Sequence, residues 1–364
     1  MIITYKKLKS ISEVIFLSMG CHRREARNIT NHLVTANLMG HDSHGVGMIP
    51  IYINSFLAGE LKPNIQPKLT LDNTSIVVFD GKKGFGQSVA RAAMKKSIKR
   101  CKETGLVLMG INNSGHMGRI GSYGEQSAKA GLISIHFVNV TDRSPSVAPF
   151  GGSQARFGTN PICIAMPRDS LVDPIILDFA TSKIAVGKIR VAINKKEKLP
   201  EGLVIDYSGA PTNDPRVLEQ HIYPSKNSDV PEGAILPMGD HKGYGLSLFC
   251  EILAGIMSGG KTIQPENKRA GGIINNMLSI LIDPIKLNKK SIIQSELEKL
   301  IEYVKSSPAA NQNSQKIVLL PGELERKKMY DRKENGIEID DKTFDQILQA
   351  SELLEIKKTL LLGE

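Results

Sequence analysis

The sequence has no tryptophan, and phenylalanine and tyrosine bring its aromatic share to only 5%. Proteins that hold single-stranded nucleic acid stack bases on aromatic side chains, so this scarcity argues against that class. The net charge of +10 is spread over short lysine and arginine runs, which is typical of solvated helix faces and loops. A non-catalytic binder of nucleic acid or other anions is therefore an outside alternative, and no nucleic-acid partner is expected.

Cysteine is also scarce, and its spacing excludes two kinds of site. The four cysteines, at 21, 101, 163 and 250, form no Cys-x-x-Cys pair, so we predict reduced core residues rather than disulfides or a zinc site. No His-Glu-x-x-His pattern is present, and no metal is expected. The sequence lacks a signal-peptide pattern and any apolar run long enough to span a bilayer. We therefore expect a cytoplasmic protein without a membrane partner.

The common nucleotide-binding fingerprints are missing too. Gly81, Gly84 and Gly86 follow the order Gly-x-x-Gly-x-Gly, which is not the Gly-x-Gly-x-x-Gly of Rossmann domains. The P-loop and the Gly-x-Ser-x-Gly elbow are absent. These glycines are interpreted as a turn before a helix, and a Rossmann domain is not predicted.

Hydrophobic periodicity divides the chain into two parts. Helical spacing at 24–39 and after Pro50, and again in the C-terminal third, predicts a helical substrate domain from 1–72 and 236–364. Between them, alternating strand and helix patterns predict an α/β cofactor-binding domain at 73–235. A further strand is predicted at 277–282, within the C-terminal part.

Two histidines lie in glycine-framed loops rather than on apolar helix faces. His44 is in HDSHG at 41–45, and His116 is in NNSGHMGR at 112–119. Histidine suits proton transfer because its pKa lies near working pH. A third, His241, precedes an apolar helix whose first N–H groups suit phosphate. From the residues alone, a purely structural role for each histidine stays open.

Five segments in order resemble one enzyme family. They are HDSHGV at 41–46, NSGH at 113–116, FGTNP at 157–161, ILDFATS at 176–182 and DHKGYG at 240–245. Together they are similar to the malate/L-lactate dehydrogenase family that is unrelated to the Rossmann lactate dehydrogenases, over about residues 10–355. GMIP at 47–50 and SIHF at 134–137 resemble its bacterial hydroxycarboxylate dehydrogenase branch most. The resemblance implies a non-Rossmann α/β fold with a mixed, largely antiparallel sheet, a helical domain from both chain ends, and a homodimer.

The resemblance also implies site residues. His44 and His116 match catalytic histidines, and which one delivers the proton stays open; Ser43 and Asp42 are expected to orient His44. Asp178 is expected to accept a ribose hydroxyl, which favours NAD over NADP, although NADP stays possible. The implied cofactor contacts are His44, Gly118, Arg119, Ile120, Ile176, Leu177, Asp178, Phe179, Ala180, His241, Asn275, Gly322, Glu323, Leu324 and Glu325.

The substrate pocket departs from the family pattern at one position. Many members carry arginine where this chain has Met48, and a thioether does not replace a guanidinium that holds a carboxylate. Either Arg119, Arg143 or a backbone N–H takes over this task, or the substrate is held differently. Met48 and Tyr52 are also expected to line the pocket. The more apolar Met48 favours larger keto acids such as phenylpyruvate.

The predicted function is hydride transfer between NAD(H) and a small 2-hydroxy or 2-keto acid of the malate, lactate, 2-oxoglutarate or aryl-pyruvate type. The alternative is an NADPH-dependent reductase of a cyclic imine carboxylate, which uses the same hydride chemistry on a C=N bond.

Overall fold

The computed structural model describes residues 1–169, 172–223, 232–267, 269–308 and 317–362. Its helices are α1 (Tyr5–Ser18), α2 (Arg23–Leu38), α3 (Ile49–Leu57), α4 (Gly86–Thr104), α5 (Gly121–Lys129), α6 (Val186–Lys195), α7 (Glu219–Ile222), α8 (His241–Cys250), α9 (Lys290–Lys305), α10 (Glu323–Asn335), α11 (Asp341–Glu352) and α12 (Lys358–Leu362). Its strands are β1 (Ile2–Ile3), β2 (Lys68–Asp72), β3 (Ile76–Asp80), β4 (Leu106–Gly115), β5 (Ile133–Thr141), β6 (Ile162–Met166), β7 (Ile175–Phe179), β8 (Val204–Ile205), β9 (Pro211–Thr212), β10 (Ala234–Ile235), β11 (Ile274–Ile282) and β12 (Ile337–Glu338).

A seven-stranded sheet forms the centre of the α/β part, in the order β2-β3-β4-β11-β5-β6-β7. All neighbouring strands run antiparallel except β3 and β4, which are parallel and are joined by α4. The predicted α/β class with a mixed, largely antiparallel sheet agrees with this pairing. Helices α4 and α5 cover the sheet, and their buried residues share one apolar cluster with Phe79, Met109 and Val138.

Strand β11 lies between β4 and β5, where it is hydrogen-bonded to both. The expected domain boundaries put residues 236–364 with the helical part, so the placement of this segment differs from that expectation. The physical reason is that most of β11 is buried, with Met277 and Leu281 in the sheet core. A strand buried on both faces belongs inside a sheet, but its sequence does not identify its partners.

Both ends of the chain contribute to one apolar core among the helices. Leu8 and Ile15 of α1 and Ile29 of α2 pack in the same cluster as Ile337 and Ile347. The N-terminal strand β1 also pairs with β12. Residues more than 300 positions apart therefore hold α2 and α3 in place, and these two helices flank the turn that carries His44.

The cysteines agree with their interpretation as core residues. All four cysteines are buried and unpaired. Among the described residues, no helix combines the length and apolar character needed to cross a membrane.

Candidate active site

A short connector between α2 and α3 carries His44. It forms two tight 3-10 turns, Asp42–His44 and Val46–Met48. The Asn37 side chain holds both, because its Nδ2 donates to Asp42 Oδ1 (2.7 Å) and its Oδ1 accepts from the Val46 N–H (2.8 Å). A Cβ on Gly45 would lie 2.2 Å from Asn37 Oδ1, so the connector depends on glycine there.

Asp42 stabilises this connector rather than the imidazole of His44. Arg332 of α10 donates to both carboxylate oxygens of Asp42, at 2.8 and 3.1 Å. No hydrogen bond joins Asp42 to His44 in the described part of the chain, so the expectation that Asp42 orients His44 directly is not met. The carboxylate is instead bonded to Arg332 and Asn37.

Ser43 does contact the imidazole, since its Oγ lies 2.9 Å from His44 Nδ1. Helix α6 packs against the same serine at Gly187, where a Cβ would come within 2.4 Å of Ser43 Cβ. The ring of His44 stacks on that of His116, with centroids 5.5 Å apart and planes inclined by 15°. The two predicted histidines, 72 positions apart in the sequence, are therefore direct neighbours.

His116 follows directly on the end of β4. Its Nδ1 lies 2.7 Å from the hydroxyl of Tyr52, which comes from α3, and Gln87 Nε2 of α4 donates to the same hydroxyl at 2.7 Å. Asn275 of β11 accepts a bond from the Met117 N–H at 2.8 Å. Asn275, expected as a cofactor contact, is buried and has its amide bonded to backbone, so here it positions the His116 loop.

Both imidazoles are uncharged at neutral pH in the protein alone. Burial, followed by the charges of His41, Arg119 and Arg190, lowers the pKa of His44 to about 4. Burial, His44, His32 and Arg143 lower the pKa of His116 well below its usual value. An anionic ligand beside them would offset this positive surrounding and raise both pKa values again.

The two histidines line a cavity of about 120 Å³. Its wall combines apolar side chains with cationic and hydroxyl groups. The lining residues are Ser43, His44, Met48, Ile51, His116, Val140, Arg143, Ser144, Ser146, Gly158, Thr159, Ala185, Val186, Gly187, Arg190, His221, Ile222, Ile263 and Ile273. Met48 lies in this wall, and only 6% of it is exposed.

Two guanidinium groups reach the cavity. Arg143 Nη2 donates to the His221 carbonyl at 2.8 Å, and Arg190 Nη1 donates to the Gly47 carbonyl at 2.9 Å. Arg190 is buried, and its Nε has no partner within the described residues. Neither arginine forms an ion pair with a described carboxylate, although Glu232 attracts Arg143 from a longer distance. Burial lowers the pKa of both, and Arg190 lowers that of Arg143 further.

One of the two arginines expected to substitute for the missing arginine at position 48 lines the cavity. Arg143 lines the cavity, but Arg119 does not, because its guanidinium pairs with Glu125 at 2.6 Å in another cleft. Arg190 and His221 were missed in the sequence. Arg190 lies on the amphipathic helix α6, where the pattern indicates only a helix, and His221 lies in a region without a motif.

A second cleft is lined by five of the expected cofactor contacts. Arg119, Ile176, Asp178, Gly322 and Glu325, from three distant segments, line it together with Met39, His41, Glu125 and Arg326. It encloses only about 10 Å³, so a dinucleotide would lie along it rather than inside it. Asp178 Oδ2 accepts from the Gly121 N–H at the start of α5 (2.7 Å), which leaves its other oxygen for a ribose hydroxyl.

The remaining expected contacts vary in exposure and place. Gly118 has a φ of +71°, and a Cβ there would meet His32 Nε2 at 2.4 Å, so the chain approaches α2 closely. Ile120 is buried, Leu177 and Leu324 are exposed, and Phe179 and Ala180 are half-buried. Glu323 pairs with Lys305 at 2.5 Å. His241 is exposed at the start of α8, against the Phe150 ring, and does not line the histidine cavity.

The second cleft offers the carboxylate of Asp178 for the ribose of a dinucleotide, beside Gly322, which has no side chain. Its two guanidinium groups, those of Arg119 and Arg326, are paired with Glu125 and Asp173. No group of three or more His, Cys, Asp or Glu side chains that could hold a metal ion occurs among the described residues.

Comparison with known proteins identifies the family. The model of the malate/L-lactate dehydrogenase family matches residues 3–348. A hydroxycarboxylate dehydrogenase B of Escherichia coli strain K12 is 40% identical, over 94% of this chain and 92% of that protein. An L-lactate dehydrogenase of Cupriavidus necator is 38% identical, over 82% and 83%.

The fold agrees with this assignment. A solved structure of a putative malate/lactate dehydrogenase from E. coli superimposes with a TM-score of 0.92 at 38% identity, and covers 100% of this chain and 98% of the other. The chain therefore belongs to the malate/L-lactate dehydrogenase family and is an oxidoreductase that acts on CH–OH donors with a nicotinamide cofactor.

Proposed function

We propose that the protein interconverts a small 2-keto acid and its 2-hydroxy acid with NAD(H), and works mainly as a keto acid reductase. One observation carries the proposal. The cavity places the stacked imidazoles of His44 and His116 beside two guanidinium groups, Arg143 and Arg190, that have no carboxylate partner among the described residues. A 2-keto acid needs a cation for its carboxylate and a proton donor at its keto oxygen, and the cavity offers both.

The residues of the chain have separate tasks in this reaction. A bound nicotinamide supplies the hydride for the keto carbon, or accepts it in the reverse direction. Arg143 and Arg190 hold and orient the substrate carboxylate. His44 or His116, protonated once the anionic substrate has raised its pKa, donates a hydrogen bond to the keto oxygen and transfers that proton to it, which leaves a neutral imidazole. Met48, Ile51 and the other apolar side chains exclude water from the reacting atoms.

A panel of substrates tests the proposal. Oxidation of NADH is measured with pyruvate, oxaloacetate, 2-oxoglutarate and phenylpyruvate, and with a piperideine carboxylate as the cyclic imine. We expect turnover of keto acids, with phenylpyruvate preferred to oxaloacetate because Met48 replaces a cation in the wall. Clear preference for oxaloacetate would contradict the apolar-wall idea. Turnover of the imine alone would select imine reduction instead.

Cofactor choice gives a second expected result. Replacing Asp178 with asparagine should tighten NADPH binding relative to NADH by about tenfold, the equivalent of roughly 1.4 kcal/mol, because the carboxylate repels a 2′-phosphate. Asparagine keeps the oxygen that accepts the Gly121 N–H, so α5 should remain capped. Fluorescence titration of each cofactor measures the two Kd values.

The matched control is Asp345→Asn, which makes the same change at an exposed position of α11. It should leave the ratio of the two Kd values unchanged. If Asp178→Asn also leaves that ratio unchanged, Asp178 does not select the cofactor.

A further inference from the structure

We propose that Gln87, acting through Tyr52, holds His116 in the tautomer that carries its proton on Nε2 and so presents a hydrogen-bond donor to the keto oxygen. This inference rests on the proposed function, because the keto oxygen is its acceptor. Gln87 does not line the catalytic cavity, so it is a positioning residue rather than a catalytic one.

Three elements bring the chain of hydrogen bonds together. Gln87 lies in the first turn of α4, and its side chain is almost fully buried. Its Nε2 donates to the hydroxyl of Tyr52 in α3, at 2.7 Å, and this hydroxyl lies 2.7 Å from His116 Nδ1. Both contacts are short, and Tyr52 is only 3% exposed, so water does not compete for them.

The direction of these two hydrogen bonds follows from the number of protons that each group can donate. An amide N–H can only donate, so the oxygen of Tyr52 accepts from Gln87. The hydroxyl has one proton of its own, and among the described residues the Nδ1 of His116 is its remaining hydrogen-bonding neighbour. Tyr52 therefore donates to Nδ1, which must be unprotonated. In a neutral imidazole the proton is then on Nε2.

Tyr52 remains a donor throughout the working range of pH. Burial raises the pKa of Tyr52 well above its usual value, and the bond from Gln87 lowers it only in part. The hydroxyl thus keeps its proton, and His116 is neutral in the protein alone because its own pKa is lowered. Neutral tyrosine and neutral histidine are the states that a fixed tautomer requires.

Packing fixes the geometry of the three side chains. The ring of Phe85, directly before α4, meets the ring of Tyr52 edge-on, with centroids 6.0 Å apart and planes at 82°. At Gly86 the helix start contacts the His116 backbone so closely that a Cβ would lie 2.4 Å from the His116 carbonyl oxygen. The positions of Gln87 and His116 relative to each other are therefore fixed by backbone contact as well as by their bonds to Tyr52.

The first test reads the tautomer directly. In protein labelled with ¹⁵N-histidine, long-range ¹H–¹⁵N spectra distinguish a protonated from an unprotonated ring nitrogen, and the loss of signals in His116→Asn assigns this ring. Wild type should show the proton on Nε2. In Gln87→Glu the introduced carboxylate accepts from Tyr52, so Tyr52 must accept from His116 and the proton should appear on Nδ1.

Either of two results would overturn the inference. One is a wild-type proton on Nδ1, which the opposite orientation of the Gln87 amide would produce. The other is an unprotonated Nδ1 that persists in Gln87→Glu at neutral pH. This readout needs no substrate, so it can fail or succeed independently of the keto acid panel.

The second test is kinetic. Gln87→Glu should lower kcat for keto acid reduction about tenfold or more, the effect of one lost hydrogen bond in the reacting state, with little change in the Kd of NADH. As pH falls, protonation of the introduced carboxyl restores a donor to Tyr52, and the ratio of variant to wild-type kcat should rise. A ratio that does not change with pH would contradict the mechanism.

The control variant makes the same substitution elsewhere. Gln126 of α5 donates to the carbonyl of Arg91, away from the cavity, so Gln126→Glu should leave kcat and the His116 spectrum unchanged. Thermal unfolding of both variants shows whether the fold is retained.

Discussion

Replacing His116 with asparagine is expected to lower kcat for keto acid reduction by about 10²- to 10⁴-fold, the usual contribution of a positioned proton donor. Asparagine retains a hydrogen-bond donor but cannot exchange a proton at working pH. His44→Asn should also lower kcat, because the two rings stack at 5.5 Å and share one cavity. The variant with the larger loss identifies the imidazole that delivers the proton.

The control for both is His22→Asn. His22 is exposed at the start of α2, and its side chain makes no capping bond there. It should keep wild-type turnover and wild-type thermal stability. If His116→Asn and His44→Asn both stay within threefold of wild type, the proposed chemistry of the cavity is wrong.

Replacing Arg190 or Arg143 with methionine should raise the KM for 2-keto acids by about 10- to 100-fold. A hydrogen bond to a charged group contributes roughly 1.5–3 kcal/mol, and methionine fills similar space without charge. The Kd of NADH should change little, because the second cleft contains neither arginine. Steady-state kinetics and cofactor titration measure the two quantities separately.

Arg156→Met is the matched control, since Arg156 is exposed and its guanidinium bonds, among the described residues, only to its neighbours Gln154 and Ala155. Arg190 also donates to the Gly47 carbonyl, so its variant could disturb the connector that carries His44. Within the described residues, Arg143 donates to the His221 carbonyl and not to the connector, so its variant tests the anchor without that effect. An unchanged KM in both variants would show that the carboxylate is held elsewhere.

Local sequence patterns predicted the parts of the fold that depend on neighbours in the chain. The connector at His44 was expected between two helices, and it lies between α2 and α3. Strands β6 and β7 lie in the part of the chain, 73–235, where alternating strand and helix patterns were expected. The loop patterns singled out both His44 and His116, but only the family resemblance indicated that the two belong to one site.

The remaining features depend on contacts between distant segments. The ion pair between Asp42 and Arg332 joins residues 290 positions apart, and nothing in the sequence around either residue indicates it. Arg190 and Gln87 both lie on amphipathic helices, where periodicity explains a residue by its burial and gives no information on its polar partner. Their hydrogen-bond partners, the Gly47 carbonyl and the Tyr52 hydroxyl, are known only from the three-dimensional structure.

The position of β11 between β4 and β5 has a consequence for biosynthesis. Until the ribosome has released residue 282, both flanking strands have an open edge facing the gap, because each is hydrogen-bonded to β11 along its length. Open strand edges pair readily with other chains. We therefore expect nascent chains that end before β11 to need chaperones. The hydrogen bond from the Met117 N–H to Asn275, which positions the His116 loop, should form only after β11 has been synthesised.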